Sequence, residues 1–122
     1  MFEYAVIRVV PKPEREEFLN VGVILYCRKP EFLQAMFAID TDKLRAFSPN
    51  IDIEQLQQYL HAFERIAKGD ATAGPIAKLD SPSRFRWLTA TRSTVVQLSK
   101  VHPGLCADGA SMLNRLFGQL VL

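Results

Sequence analysis

Hydrophobic and polar positions follow the period of strands in the first third of the chain. Residues 2–10 carry apolar side chains on both parities, which predicts a strand covered on at least part of both faces. Prolines at positions 11 and 13 end this strand, since proline supplies no N–H to a ladder. The β-prone runs 21–27 and 32–39, joined by a short polar loop, then predict a β-hairpin.

The helical period takes over after residue 40. Asp40-Thr41-Asp42 is a candidate start, with capping aspartates, for a short helix that Pro49 stops. Asp52 is a candidate N-cap for the clearest helix, which Gly69 closes. The apolar stripe of this long helix is Ile53, Leu56, Leu60, Phe63 and Ala67. Asp108 can cap a last helix. Its apolar stripe is Leu113, Leu116, Phe117, Leu120 and Val121.

The stretch between these two helices has weaker periodicity. Residues 71–80 resemble a linker, and Ser81 followed by proline predicts an N-cap and a helix over 83–90. Residues 94–98 predict a fourth strand, and 101–104 predict a turn.

This order of elements is typical of an α+β fold and not of a βαβ alternation. We expect a single domain, 1–122, with an antiparallel-dominated sheet of about four strands and two main amphipathic helices packed on one face, because each helix has only one apolar stripe. The other face would then be open. Its strand residues, among them Tyr4, Tyr26 and Phe37, would form either a homodimer contact or a ligand surface.

Composition narrows the class of protein further. The 122 residues are 48% hydrophobic and 23% charged, as in an ordinary globular domain, and the net charge of +2 is too small to steer the whole molecule to nucleic acid or a membrane. Any anion binding is therefore local. We expect a cytoplasmic protein without a membrane span, because two cysteines make no disulfide scaffold and no apolar run approaches the roughly 20 residues that cross a bilayer.

Motifs of the common enzyme classes are missing. The chain has no Walker A loop, dinucleotide glycine pattern, His-Glu-x-x-His, Cys-x-x-Cys pair or Gly-x-Ser-x-Gly elbow, so whether it is an enzyme stays open. The spacing of Cys27, His61, His102 and Cys106 does not match a zinc site, and we expect no metal and no cofactor. His102 and Cys106 could form a base and nucleophile, or His102 could hydrogen-bond across a turn that positions the last helix.

The densest group of chemically capable side chains lies between residues 84 and 94. It consists of Arg84, Arg86, Trp87, Arg92, Ser93 and Thr94, with His102 a further candidate. Guanidinium groups suit phosphate or carboxylate, and the indole could stack on a base. The alternative is that Phe85 and Trp87 belong to the core, that the arginines are solvated, and that residues 93–94 begin a strand.

Arg8 is a second polar feature, since it interrupts an apolar strand. We expect it to pair with Glu3 or Glu17, because an unpaired charge in such a place is costly. Gly22 indicates a bulge or the close approach of another group. The functional alternative is that Asn20 and Gly22 line a ligand cleft near Arg8.

Six short blocks carry a family resemblance along nearly the whole chain. They are Tyr4-Ala5-Val6-x-Arg8-Val9-Val10-Pro11, Glu17-Phe18-x-Asn20-Val21-Gly22-Val23, Gly74-Pro75-Ile76-Ala77, Arg84-Phe85-x-Trp87-Leu88, Arg92-Ser93-Thr94-Val95 and Val101-His102-x-Gly104-x-Cys106. The chain thereby resembles DUF3037, a small bacterial family of uncharacterised proteins without an established activity. The resemblance also implies genes neighbouring those of HipA-like kinases.

Two hypotheses follow. The first is a non-enzymatic accessory or interaction module that partners a HipA-like kinase, through the open sheet face or the 84–94 segment. The second is a small nucleotide- or nucleic-acid-binding or processing module that uses the Arg84–Thr94 segment and His102. Salt separates them, because phosphate binding weakens steeply as salt rises.

Overall fold

The computed structural model describes residues 1–90, 95–105 and 107–122. Within these ranges the strands are β1 (Phe2–Val9), β2 (Leu19–Cys27), β3 (Phe32–Phe37), β4 (Val96–Leu98) and β5 (His102–Gly104). The α-helices are α1 (Thr41–Phe47), α2 (Ile53–Lys68), α3 (Ser81–Leu88) and α4 (Gly109–Leu120). Short 3-10 helices occupy Pro13–Arg15, Ala71–Ala73 and Pro75–Lys78.

One antiparallel sheet organises the chain and confirms the α+β fold. The strand order is β3-β2-β1, and both β4 and β5 pair with the remaining edge of β1. β4 pairs with Ile7–Val9, and β5 pairs with Phe2–Tyr4. Within the described ranges the sheet therefore has five strands, one more than about four. The extra strand, His102–Gly104, lies where the sequence predicts a turn. Proline and glycine are typical of turns, and only the pairing with β1 defines this segment as a strand.

The helices α1, α2 and α3 cover one face of the sheet. Their apolar stripes meet Ala5, Ile7 and Val9 of β1 and Ile24 and Tyr26 of β2. The helical residues buried there are Leu44, Leu56, Leu60, Phe63, Ala67, Phe85 and Leu88.

The helix α4 covers the opposite face, so the prediction that both main helices share one face is wrong. Leu113 of α4 packs with Phe2, Val23, Leu25 and Cys27, which alternate with the strand residues of the other cluster. The reason is that β1 and β2 are apolar on both parities, and a sheet with two apolar faces needs cover on both.

The three aromatic residues that we expected on one open face of the sheet lie on two different faces. Tyr26 and Phe37 lie on the α2 side, where Tyr26 is buried, and only Tyr4 of the three lies on the α4 side. The sheet separates Tyr4 from Tyr26 and Phe37. These three aromatic residues therefore do not form a common surface.

Aspartate caps begin the helices largely as the sequence indicates. The carboxylates of Asp40, Asp52 and Asp108 each accept a hydrogen bond from the backbone N–H three residues later. At α3 the cap is Asp80 and not the predicted Ser81. The Ser81 hydroxyl instead donates to a Glu31 carboxylate oxygen at 2.7 Å, which ties α3 to the β2–β3 turn.

The C-terminal end of α2 is held by a polar turn. Gly69 adopts the left-handed conformation, with φ 75°, and the next residue, Asp70, accepts hydrogen bonds from the Thr72 hydroxyl at 2.7 Å and the Thr72 N–H at 3.0 Å. Arg65 Nε donates to the same carboxylate at 3.1 Å. These donors stabilise the charged form, chiefly through the Thr72 hydroxyl, and lower the pKa of Asp70 to about 2.

Gly22 marks both a bulge and a close approach. The β1–β2 register shifts between Ile7 and Arg8. A Cβ on residue 22 would lie 2.5 Å from the Met36 carbonyl oxygen and 3.0 Å from Phe37 Cβ. The approaching group is therefore the neighbouring strand β3, and only glycine fits there.

Candidate functional site

The helix α3 carries three of the predicted site residues, Arg84, Arg86 and Trp87. Its two aromatic residues, Phe85 and Trp87, have different environments. Phe85 is 3% exposed and stacks on Tyr26 with ring centroids 5.4 Å apart, whereas Trp87 is 43% exposed. Leu88 is fully buried on the same side as Phe85. The interpretation that both aromatic residues belong to the core is thus right for Phe85 and wrong for Trp87.

The two arginines of α3 are already engaged with the protein. Arg84 Nη1 donates to the Leu79 carbonyl at 2.6 Å, and its guanidinium lies against Gly69, where a Cβ would be 3.3 Å from Arg84 Cζ. Arg86 Nη2 donates to the Ser83 hydroxyl at 3.3 Å. Arg84 lies in the middle of α3 and Arg86 in its last turn, and the charges of both act on the carboxylate at the N-cap.

That carboxylate is the N-cap Asp80. Hydrogen bonds from the Ser83 hydroxyl and N–H lower the pKa of Asp80, and the charges of Arg86 and Arg84 act in the same direction. A carboxylate kept ionised beside two guanidinium groups competes with any incoming phosphate for their charge. The described part of this cluster is therefore a poor anion site.

The remaining predicted residues do not join α3. Arg92, Ser93 and Thr94, like Cys106, lie outside the described residues. His102 is exposed on β5, paired with Tyr4, and the two rings are 5.2 Å apart. Since Tyr4 lies on the α4 side of the sheet, His102 is on the opposite face from α3.

An exposed patch remains on α3 and the residue before its N-cap. We call Leu79, Arg86 and Trp87 the α3 patch. Leu79 is 43% exposed, like Trp87, and Arg86 is also exposed. Tryptophan and arginine are residue types that are enriched at protein interfaces.

A groove with a volume of about 790 Å³ opens elsewhere on the molecule. Its walls come from the segment after β1, the α1–α2 connection, the first half of α2 and the start of β4. Apolar side chains line it together with two cations and two carboxylates. The lining residues include the apolar or aromatic Phe47, Ile51, Leu56, Tyr59 and Val96 and the charged Lys12, Arg15, Glu17 and Asp52. Sequence patterns could not indicate this groove, because its walls are distant along the chain.

Arg8 does not make the expected ion pair. Glu17 pairs with Arg15, and the Arg8 guanidinium carbon instead lies 4.0 Å from the centroid of the Phe18 ring. Arg8 Nε is buried without a hydrogen-bond acceptor, and so is Asn20 Oδ1 without a donor. Asn20 Nδ2 donates to the Leu120 carbonyl at 3.1 Å, at the end of α4.

In the described part of the chain, no three side chains among His, Cys, Asp and Glu are grouped to hold a metal ion. His61 packs edge-on against Phe37 with ring centroids 5.5 Å apart, and Cys27 is buried and not in a disulfide. No described helix combines the length and the apolar character that a membrane span needs.

A family model described as "Protein of unknown function (DUF3037)" matches residues 4–121. The chain belongs to the DUF3037 family. The match runs from the third residue of β1 to the residue after α4, so it includes the α3 patch, the groove and Arg8. No curated protein and no solved structure matches the chain. The family description names no activity, and function must be inferred from the sites themselves.

Proposed function

We propose that this protein is a non-enzymatic accessory module that binds a protein partner through the α3 patch. The observation that carries the proposal is the 43% exposure of Trp87 on a helix whose other side is anchored in the core. Tryptophan and arginine are the residue types that contribute most often to binding hot spots. The family resemblance makes a HipA-like kinase the proposed partner, in a bacterial cytoplasm.

The packing of α3 supports this role. Phe85 and Leu88 are buried, and Ser81 is tied to Glu31, so the helix presents Trp87 from a fixed backbone. A surface that is already ordered loses little conformational entropy when a partner binds. The engaged Arg84 and the ionised Asp80 disfavour the nucleic-acid alternative at the same position.

The test is titration of the purified protein with a purified HipA-like kinase, the partner that the family resemblance implies, by isothermal calorimetry at micromolar concentrations. Trp87→Ala should weaken the complex by about 2 kcal/mol, roughly 30-fold in Kd, as expected for a hot spot. Leu105→Ala is the matched control, since Leu105 is 79% exposed outside the patch, and its Kd should stay unchanged. Circular dichroism verifies that both variants fold.

Four results would contradict the proposal. No complex with the kinase at these concentrations removes the proposed partner, and an unchanged Kd for Trp87→Ala removes the patch. Binding of ATP or a single-stranded oligonucleotide that falls steeply with salt and is lost in Arg86→Ala would favour the nucleic-acid module instead. Self-association through the patch, seen as a concentration-dependent mass without kinase, would make the partner a second copy.

A further inference from the structure

We propose that Arg8 and Asn20 form a binding site for a carboxylate that carries an N–H group close by, as in an acylated amino acid or an acidic residue of a peptide. The proposal does not depend on the α3 patch. It concerns the opposite face of the sheet, where Arg8 of β1 lies between Asn20 of β2 and Gln97 of β4 in the strand register.

The first step is the charge of Arg8. None of the ion pairs among the described residues includes Arg8, and its nearest sequence candidate, Glu17, is held by Arg15. Its Nε has no acceptor although it is buried. A partly buried cation without a counter-ion is costly, so a protein that keeps one gains from a ligand that neutralises it.

The second step is the unpaired acceptor beside it. Asn20 is the direct cross-strand neighbour of Arg8, and its Oδ1 is buried without a donor while its Nδ2 is bound to Leu120. The pair thus leaves one donor and one acceptor unused at adjacent positions. Native proteins satisfy nearly all such buried groups, so an unpaired donor beside an unpaired acceptor marks a place where a polar group can be bound.

The third step is geometry. Phe18 lies over the guanidinium, which restricts the orientation of the plane and favours the bidentate contact that arginine makes with a carboxylate. Asn20, but not Arg8, also lines a cavity of about 290 Å³ together with Leu19, Asp40, Lys43 and Val121. The carboxylate would bind Arg8, and the neighbouring N–H would donate to Asn20 Oδ1.

This chemistry favours a carboxylate over a phosphate. Inorganic phosphate satisfies the guanidinium but brings no N–H for the amide oxygen, whereas N-acetylglycine brings both groups, separated by one carbon atom. N-acetylglycine is therefore the probe, with acetate lacking the N–H and N-acetylglycinamide lacking the carboxylate. A capped peptide with one internal glutamate distinguishes a polypeptide source from a small molecule. The site is supported whether the peptide or N-acetylglycine binds more tightly.

The experiment follows the Arg8 Nε–H resonance by NMR during each titration. We expect a saturable shift with N-acetylglycine, at least tenfold weaker binding of acetate and of phosphate, and none of N-acetylglycinamide. In Asn20→Ala the preference for N-acetylglycine over acetate should vanish. Arg15→Lys, at an exposed and already paired arginine, should leave every affinity unchanged.

A second variant gives an answer even where Arg8 variants fail to fold. Gln97→Glu places a carboxylate opposite Arg8 in the β1–β4 register, so it should raise Tm and weaken N-acetylglycine binding at least tenfold. The proposal is overturned if N-acetylglycine causes no saturable shift at tens of millimolar, if phosphate binds more tightly, or if Gln97→Glu lowers Tm and leaves the binding intact.

Discussion

Replacing Gly22 by alanine adds one methyl group at a point where β3 lies close against β2. The new Cβ would lie 2.5 Å from the Met36 carbonyl oxygen and 3.0 Å from both Phe37 Cβ and Ile7 Cδ1. The Met36 oxygen and Phe37 Cβ are fixed to the backbone of β3, so relief requires the two strands to separate.

Two opposing contributions decide the size of the effect. Alanine is favoured over glycine in a strand by about 0.5–1 kcal/mol, because the unfolded chain loses less conformational freedom. Overpacking costs about 1–3 kcal/mol, and backbone atoms that cannot rotate away place this site at the upper end. We expect a net loss of about 2 kcal/mol, which lowers Tm by roughly 6–10 °C in a domain of this length.

The assay is thermal unfolding followed by circular dichroism, with Gly118→Ala as the matched control. Gly118 is exposed in α4, and no atom lies within 4 Å of its added Cβ. The same methyl group should raise stability there by about 0.5–1 kcal/mol, through helix propensity alone. A Tm of Gly22→Ala equal to or above the wild-type value would refute the close approach of the strands.

Three further predictions use the same unfolding assays. Phe85→Ala should lower the free energy of unfolding by about 3–5 kcal/mol, because Phe85 is buried, and Trp87→Ala should lower it by about 1 kcal/mol. Equal losses would contradict the different burial of the two rings. Ser99→Ala should cost about 1–3 kcal/mol, measured by urea unfolding, since its hydroxyl accepts the Val6 N–H at 2.8 Å; no loss would mean that water replaces it. Asp70, whose pKa falls to about 2 in the folded protein, stabilises the fold above its ordinary pKa, and this contribution disappears as pH falls through about 2. Asp70→Asn should therefore be less stable than wild type near pH 5 and approach it near pH 2, and a constant difference in urea midpoint would contradict that sign.

Local signals predicted much of the fold. The β1–β3 strands and the Asp40, Asp52 and Asp108 caps depend on residues within a few positions of each other, and the structure has them close to the expected bounds. The strand β5 and the placement of α4 depend on contacts with β1 and β2 about 80–100 residues away, which no local pattern contains.

The candidate sites divide in the same way. The residue types of the α3 patch were visible in the sequence, but the exposure of Trp87 depends on which side of α3 meets the sheet. Arg8 was noticed as a charge in an apolar strand, yet its position over Phe18 was not expected. Whether a charged side chain finds an acid or an aromatic ring is decided by tertiary packing, because both neighbours were available in the sequence.

The pairing of β1 also has a consequence for how the chain folds while it is synthesised. β1, β2 and β3 are complete once residue 37 has been made, but the second edge of β1 has to wait for residues 96–104. At about 5–20 residues per second, a ribosome needs roughly 3–12 s for that interval. Throughout it, the nascent chain presents an unpaired apolar strand edge, the feature that promotes aggregation. The two three-residue strands β4 and β5 therefore do more than extend the sheet. By pairing with the free edge of β1 they end the stage at which the nascent chain can aggregate through it.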